Sequence, residues 1–174
     1  VDESGPQGST FLAGVAAAWE QAAQPAADAS VRVAVIRTGT VADPSGGAFG
    51  RLLPVLRAGI GGRLGSGRQW WSLISIQDQV AAIRHVIDTE QLGGPVNLAA
   101  PEQITNGDLT SLLGSALHRP TLAAVPSFAL RAVLGELADE LLLDQRMAPA
   151  RLLDTGFTFA QPTAAEIVSS LLTP

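Results

Sequence analysis

Apolar residues recur at Phe11, Leu12, Val15 and Trp19 with the spacing of one helical face. They predict an amphipathic helix over residues 11–23, capped by Ser9 or Thr10 and stopped by Pro25. The run Val31–Arg37 (VRVAVIR) is short and rich in valine and isoleucine, the pattern of a strand buried on both faces of a parallel sheet, and Gly39 ends it. A loop over 43–47 leads to a helix over 48–58 that Pro54 kinks or interrupts. The aromatic and aliphatic stretch Trp70–Ile76 predicts a strand, and Val80, Ile83, Val86 and Ile87 predict a helix over 78–87. After Gly93-Gly94-Pro95 comes a further short strand, Val96–Ala99. Helices alternating with strands up to residue 100 read as wound α/β architecture.

Beyond residue 100 the strands thin out. Thr105 or Asn106 caps a helix through Leu117, Leu130, Leu134, Leu137 and Leu141 mark helical spacing over 127–143, and Pro149 starts a short helix. An extended piece, Gly156–Phe159, precedes a terminal helix over 163–172.

Composition then limits the chemistry. The 174 residues carry a net charge of −5, and the eleven cationic residues are all arginine, with no lysine, tyrosine or cysteine. A Schiff-base lysine, a Walker-type phosphate loop, a tyrosine general acid, thiolate nucleophiles and most structural zinc sites are thereby excluded from these residues. Acidic balance and scattered arginines argue against a nucleic-acid partner. No apolar run reaches the roughly 20 residues that span a bilayer, so no membrane partner is expected and the cytoplasm is the default location. Val1 is an unusual first residue and predicts an internal or processed start.

The least ordinary stretch is Gly59–Arg68, with five glycines and two arginines in ten residues. Arg63 and Arg68 can pair bidentately with phosphate or carboxylate, and the alternative is a solvated connector between helix and strand. His85 and His118 have no carboxylate at ligand or triad spacing and are read as structural. Glu136, Asp139, Glu140 and Asp144 fit the solvated face of a leucine-rich helix. Trp70 and Trp71 point to opposite sides of their strand, one toward the core and the other free to line a cleft. Arg37-Thr38-Gly39 follows the first strand, where open α/β sheets bind ligands, although a plain strand-ending turn has the same appearance.

Taken in order, Phe11-Leu12-Ala13, Trp19-Glu20, Arg37-Thr38-Gly39, Gly46-Gly47, Gly65-Ser66-Gly67-Arg68-Gln69-Trp70, Arg119-Pro120, Gln145-Arg146 and Gly156-Phe157-x-Phe159 carry a resemblance across essentially the whole chain. The chain resembles the downstream portion of the NAD(P)-dependent epimerase family, and within it the atypical short-chain dehydrogenase/reductases of the sugar-nucleotide epimerase type, with their small C-terminal domain of unknown function. The resemblance implies an α/β fold: the later part of a Rossmann-like doubly wound parallel sheet over 1–100, then a mainly helical domain over 101–174. It places Arg37, Thr38, Gly39 and Thr40 beside the cofactor and Arg63, Arg68, Gln69, Trp70 and Ser72 around the substrate, with no metal. NAD or NADP is implied for the complete protein and none for this portion alone. The implied partner is a small-molecule substrate of nucleotide-sugar type.

Two departures matter. Related epimerases read Arg-Asp-Tyr-Ile-His-Val-x-Asp where this chain has Trp71 to Asp78, and tryptophan cannot replace the arginine that meets the substrate diphosphate. The family's Gly-x-x-Gly-x-x-Gly turn and its tyrosine and lysine are not in these residues. The strand Val31–Arg37 would then present an open edge, to be completed by a preceding segment or by another copy. The competing reading is a non-catalytic binding or scaffold module derived from the same fold.

Overall fold

The computed structural model describes residues 1–121, 123–134 and 142–172. Its helices are α1 (Phe11–Ala22), α2 (Gln24–Asp28), α3 (Gly47–Arg57), α4 (Ile76–Asp88), α5 (Asn106–Ala116), α6 (Ser127–Leu134), α7 (Ala150–Asp154) and α8 (Ala164–Leu172). Its strands are β1 (Ala34–Thr38), β2 (Thr40–Ala42), β3 (Gly62–Leu64), β4 (Trp70–Ser75), β5 (Gly94–Leu98), β6 (Gln103–Thr105) and β7 (Ala123–Val125). They form three small sheets: β1 parallel to β5, β4 between parallel β2 and antiparallel β6, and β3 parallel to β7. The α/β class is as the chain pattern predicts.

Period-two alternation along β4 separates two cores. Trp71 and Leu73 face one built from Phe49, Leu53 and Leu56 of α3, Leu109 and Leu113 of α5, and Ile167, Val168 and Leu171 of α8. Ile74 faces the other, with Ala82 and Val86 of α4, Val96 and Leu98 of β5, Leu152 and Phe159. Each large side chain fully withdrawn from water contributes about 1.5–3 kcal/mol. Local signals set the helix starts: the Oγ1 of Thr10 accepts from the N–H of Ala13, and Thr105 and Ser75 do the same for α5 and α4.

Several expectations change. Helix α1 stops before Pro25, as predicted, but Pro25 then sits in the first turn of a further short helix, α2, where its missing N–H costs nothing. Pro54 lies on the exposed face of α3, and the helix runs through it. The first strand is not buried on both faces: Ala34, Val35 and Arg37 are half-buried, and Ile36 and Thr38 are exposed. Among the described residues β1 pairs only with β5, so its other edge has no strand beside it. Helix α4 buries Asp78, Gln79, Ala82 and Val86, whereas Val80 and Ile87 are exposed. The Gly–Arg stretch holds β3, and the second half adds β6 and β7 to its helices. Phe157 and Phe159 meet edge to face at 4.8 Å in the segment between α7 and α8. The Leu130–Leu141 pattern is described as far as Leu134, and Leu137 and Leu141 lie outside the described residues.

Three further features of the surface stand out. Helix α1 buries none of its twelve residues, leaving Phe11 79% and Trp19 75% exposed. Between it and β1 lies a cavity of about 610 Å³, lined by Ala13, Ala16, Ala17 and Glu20 on one side and by Val33, Val35 and Arg37 on the other. On α4, Ile76, Val80 and Ile87 follow helical spacing and are all exposed.

Candidate functional site

Glycine 39 separates two strands that belong to different sheets. Before it, Thr38 is paired with Leu98, and the N–H of Gly39 still donates to the carbonyl of Leu98; after it, Thr40 is paired with Leu73. A Cβ at Gly39 would lie 2.6 Å from the carbonyl oxygen of Ser72, so only glycine lets the strand pass this close to β4. The parting occurs at the carboxyl end of β1, the place where ligands enter open parallel sheets.

Arg37, predicted beside a cofactor, is engaged by α1. Its Nε and Nη2 donate to the two carboxylate oxygens of Glu20 at 2.7 and 2.8 Å. That hydrogen-bonded guanidinium holds the Glu20 carboxyl below its ordinary range, and Glu20 in turn raises Arg37. Thr38 is exposed, and its Oγ1 accepts from Nε2 of Gln79 at 3.3 Å. Thr40 is half-buried at the start of β2.

The crevice between the first two sheets is held by two irregular segments. Glu3 accepts from the N–H groups of Asn97 and Arg151, and the Asn97 amide donates to the carbonyl of Ala148. Ser72, predicted to shape the substrate cleft, is buried: its hydroxyl donates to the carbonyl of Gln145 at 2.6 Å and accepts from the N–H of Met147 at 2.8 Å. Asp144 is not on a helix face; it accepts from the N–H of Trp70. Glu136, Asp139 and Glu140 of the same predicted cluster lie outside the described residues. Trp71 is buried and Trp70 half-buried, with the Arg146 guanidinium 4.3 Å above the Trp70 ring.

Arg63, Arg68 and Trp70 come together at a cavity of about 660 Å³, whose far wall carries Thr105, Asp108 and Ser111 of the β6–α5 segment. Both arginines are exposed, and neither forms an ion pair among the described residues. Gln69 supports the rim from behind: buried, it donates from Nε2 to the carbonyl of Leu64, while Asn106 accepts from the Leu64 N–H. Gly67, at φ +71°, lets the loop touch α5, where its carbonyl accepts from the N–H of Gly107 at 2.8 Å. The arrangement suits an anion flanked by an aromatic ring.

The histidines take structural positions. His85 Nε2 lies 3.0 Å from the Thr155 hydroxyl and the ring meets Phe157, while His118 sits at φ +53° just past the end of α5. Asp78 is buried and accepts from the N–H groups of Ala160 and Gln161 at 2.7 and 2.9 Å. No group of three or more candidate metal ligands occurs among the described residues. No helix of the described residues is long and apolar enough to cross a membrane. Sequence reasoning missed Glu3, Gln79 and the 144–147 strap, since all but Met147 are polar residues in segments that read as exposed.

Known proteins resemble this architecture. The family described as "Domain of unknown function (DUF1731)" matches residues 125–171. "Epimerase family protein Mb2239" of Mycobacterium bovis is 45% identical over 167 residues, which are 95% of this chain and 56% of that protein. Mouse "Epimerase family protein SDR39U1" is 37% identical over 163 residues, covering 92% of this chain and 55% of its own length. The crystal structure of human epimerase family protein SDR39U1 (isoform 2) with NADPH superposes with a TM-score of 0.93 at 33% identity, over 98% of this chain and 58% of that one. A nucleoside-diphosphate sugar epimerase from Corynebacterium glutamicum gives a TM-score of 0.77 at 34% identity, over 99% of this chain and 33% of that one. The chain thus spans little more than half the length of the curated relatives it matches.

Proposed function

This chain belongs to the NAD(P)-dependent epimerase family, and on that basis we propose that it is the substrate-side and C-terminal part of an NAD(P)-dependent sugar-nucleotide epimerase or related oxidoreductase. Residues 1–100 supply the later part of the Rossmann-like sheet and 101–174 the mainly helical C-terminal domain. The observation that carries the reading is the incomplete edge at β1. A strand with one unpaired side, an α1 with no buried residue and an α4 with an exposed apolar flank all call for a neighbouring half-sheet with its own helices. The matched region makes up 58% of the human relative, whose structure holds NADPH.

In this reading the cofactor-binding half docks along β1, and Arg37, Thr38, Gly39 and Thr40 face the nicotinamide end of NAD or NADP. These residues fit that role: the carboxyl end of β1 offers an exposed hydroxyl and a glycine that brings two strands into contact. They do not supply a pyrophosphate-binding turn, which is left to the other half. The cofactor supplies hydride chemistry when bound, and these residues bind and orient. Arg63 and Arg68 take the anionic group of a small-molecule substrate beside Trp70, with a nucleotide-sugar diphosphate the chemical type that fits two guanidinium groups and a ring. Gln69 and Ser72 hold that wall in place. The buried Trp71, standing where related epimerases carry an arginine, moves phosphate recognition onto Arg63 and Arg68.

The test is a calorimetric titration of NADPH and NADH against this chain alone and against its mixture with the segment preceding the matched region of the Mycobacterium bovis relative. Binding by the mixture and none by the isolated chain is the expected result. Failure of the mixture to bind either dinucleotide rejects the cofactor reading. It favours instead a scaffold module, for which the lack of tyrosine and lysine in these 174 residues is the supporting observation.

A further inference from the structure

Asn106-Gly107 is the one Asn-Gly pair in the chain, and it opens α5 at the edge of the arginine-lined cavity. An asparagine followed by glycine is chemically labile in a flexible peptide. The backbone nitrogen of the glycine loses its proton and attacks Cγ of the asparagine, ammonia leaves, and water opens the resulting succinimide ring to aspartate or isoaspartate. Glycine favours ring closure because it has no side chain to obstruct it.

The fold calls for both residues. Asn106 is only 2% exposed: its Oδ1 accepts from the N–H of Leu64 at 2.7 Å, and its own N–H donates to the carbonyl of Gln69 at 2.9 Å. At position 107 a Cβ would lie 3.1 Å from the carbonyl oxygen of Gly67, so glycine is what lets the loop over 65–68 close on the helix. The same contact restrains the chemistry. The Gly107 N–H donates to that carbonyl at 2.8 Å, and the helical backbone at Asn106 holds the attacking nitrogen away from Cγ.

We propose that Asn106 is a latent deamidation site, kept closed by the 65–68 loop and exposed when that loop lifts locally from α5. Its two products differ in consequence. An aspartate keeps an oxygen for the Leu64 N–H and puts negative charge at a helix N-terminus, where it is favoured. Isoaspartate carries the main chain through Cβ, which lengthens the first turn by one carbon and breaks the register of Gly107 with Gly67. Conversion to isoaspartate therefore unlatches the loop that carries Arg68, whatever ligand the cavity takes.

The test incubates the protein in mildly alkaline buffer, native and in urea, and follows Asn106 by peptide mass mapping, with Asn97, the only other asparagine, as internal control. In urea Asn106 should convert, and Asn97, which precedes a leucine, should not. Native conversion should be slower by at least about a hundredfold, because only the open fraction reacts. Gly67→Ala, which forces a side chain into the left-handed region at φ +71°, should speed native conversion about tenfold. Asp78→Ala, which loosens α4 and the segment before α8, should leave the rate unchanged. Amide exchange in the unsubstituted protein, which does not depend on the folding of any variant, should show Leu64 and Gly107 opening together and more often than the buried side of α4. Native conversion as fast as in urea, equal acceleration by Asp78→Ala and Gly67→Ala, or equal exchange protection in the loop contact and in α4 each overturns the proposal.

Discussion

The guanidinium of Arg37 holds both carboxylate oxygens of Glu20, and among the described residues this is the one ion pair that joins α1 to the sheet. Because α1 has no buried residue and a twelve-residue helix is marginal by itself in water, the pair decides whether the helix stays folded. Arg37→Ala should cost about 1 kcal/mol at neutral pH, the scale for a partly exposed pair, and should selectively raise amide exchange over residues 11–22. Unchanged protection there would contradict the pinning role.

The same pair has a defined pH window. The Glu20 carboxyl titrates below its ordinary value of 4.5, chiefly through the hydrogen bonds from Arg37. Its contribution is therefore complete above the unfolded value and is lost as the pH falls through the lower folded one. Unfolding curves at pH 7 and in steps below 4.5 should show the difference between the native protein and Glu20→Gln shrinking toward zero on the acid side.

Gly39→Ala tests the parting of the sheets. The added Cβ would press on the Ser72 carbonyl, a backbone atom that cannot rotate aside. A loss of about 2 kcal/mol or more is expected in urea unfolding, because β1 or β2 must shift its register to relieve the clash. Ala substitution at Gly46, where the added atom meets nothing within 4 Å, is the control and should be close to neutral.

Asp78→Ala removes the acceptor of two backbone N–H groups, from Ala160 and Gln161. Stranding these donors should cost about 2–4 kcal/mol and loosen the link between α4 and the segment before α8. Chemical denaturation measures the loss, and limited proteolysis after Phe159 locates it.

Replacing both Arg63 and Arg68 by alanine should weaken binding of inorganic pyrophosphate or UDP by about tenfold per residue, with a shallower salt dependence, since charge-assisted hydrogen bonds are worth about 1.5–3 kcal/mol each. Calorimetry on this chain reads it directly, because the cavity is lined wholly by its own residues. Equal affinity for the double variant would place the anion elsewhere.

Helix ends were the most legible part of the molecule. Thr10 and Thr105 stand where capping chemistry puts them, Pro149 directly precedes α7, and the adjacent tryptophans divide between core and surface as strand alternation requires. The family was legible too, because many short motifs kept their order. Strands β2, β3 and β7 were not: three residues such as Gly62-Arg63-Leu64 carry no alternation, and β3 exists only because Ala123–Val125, some sixty residues away, pairs with it. The Gly–Arg stretch reads either as an anion loop or as a connector, and the close approach of Gly67 to Gly107 is visible only in the fold. Ser72 and Gln79 show the same limit. A buried serine serving backbone groups and a buried glutamine with a spare oxygen cannot be told from exposed residues until the partners are seen.

Helix α8 covers Trp71 and Leu73 of β4, joins Ala42 of β2 in the same core, and comes from the last tenth of the chain. During synthesis, then, β2 and β4 must wait about a hundred residues for their lid, with Phe49, Trp71 and Leu73 meanwhile bare to water and to other nascent chains. Folding of these residues should therefore depend on chaperone holding on the ribosome, and trimming residues 164–172 should send the chain to inclusion bodies instead of leaving a smaller folded core.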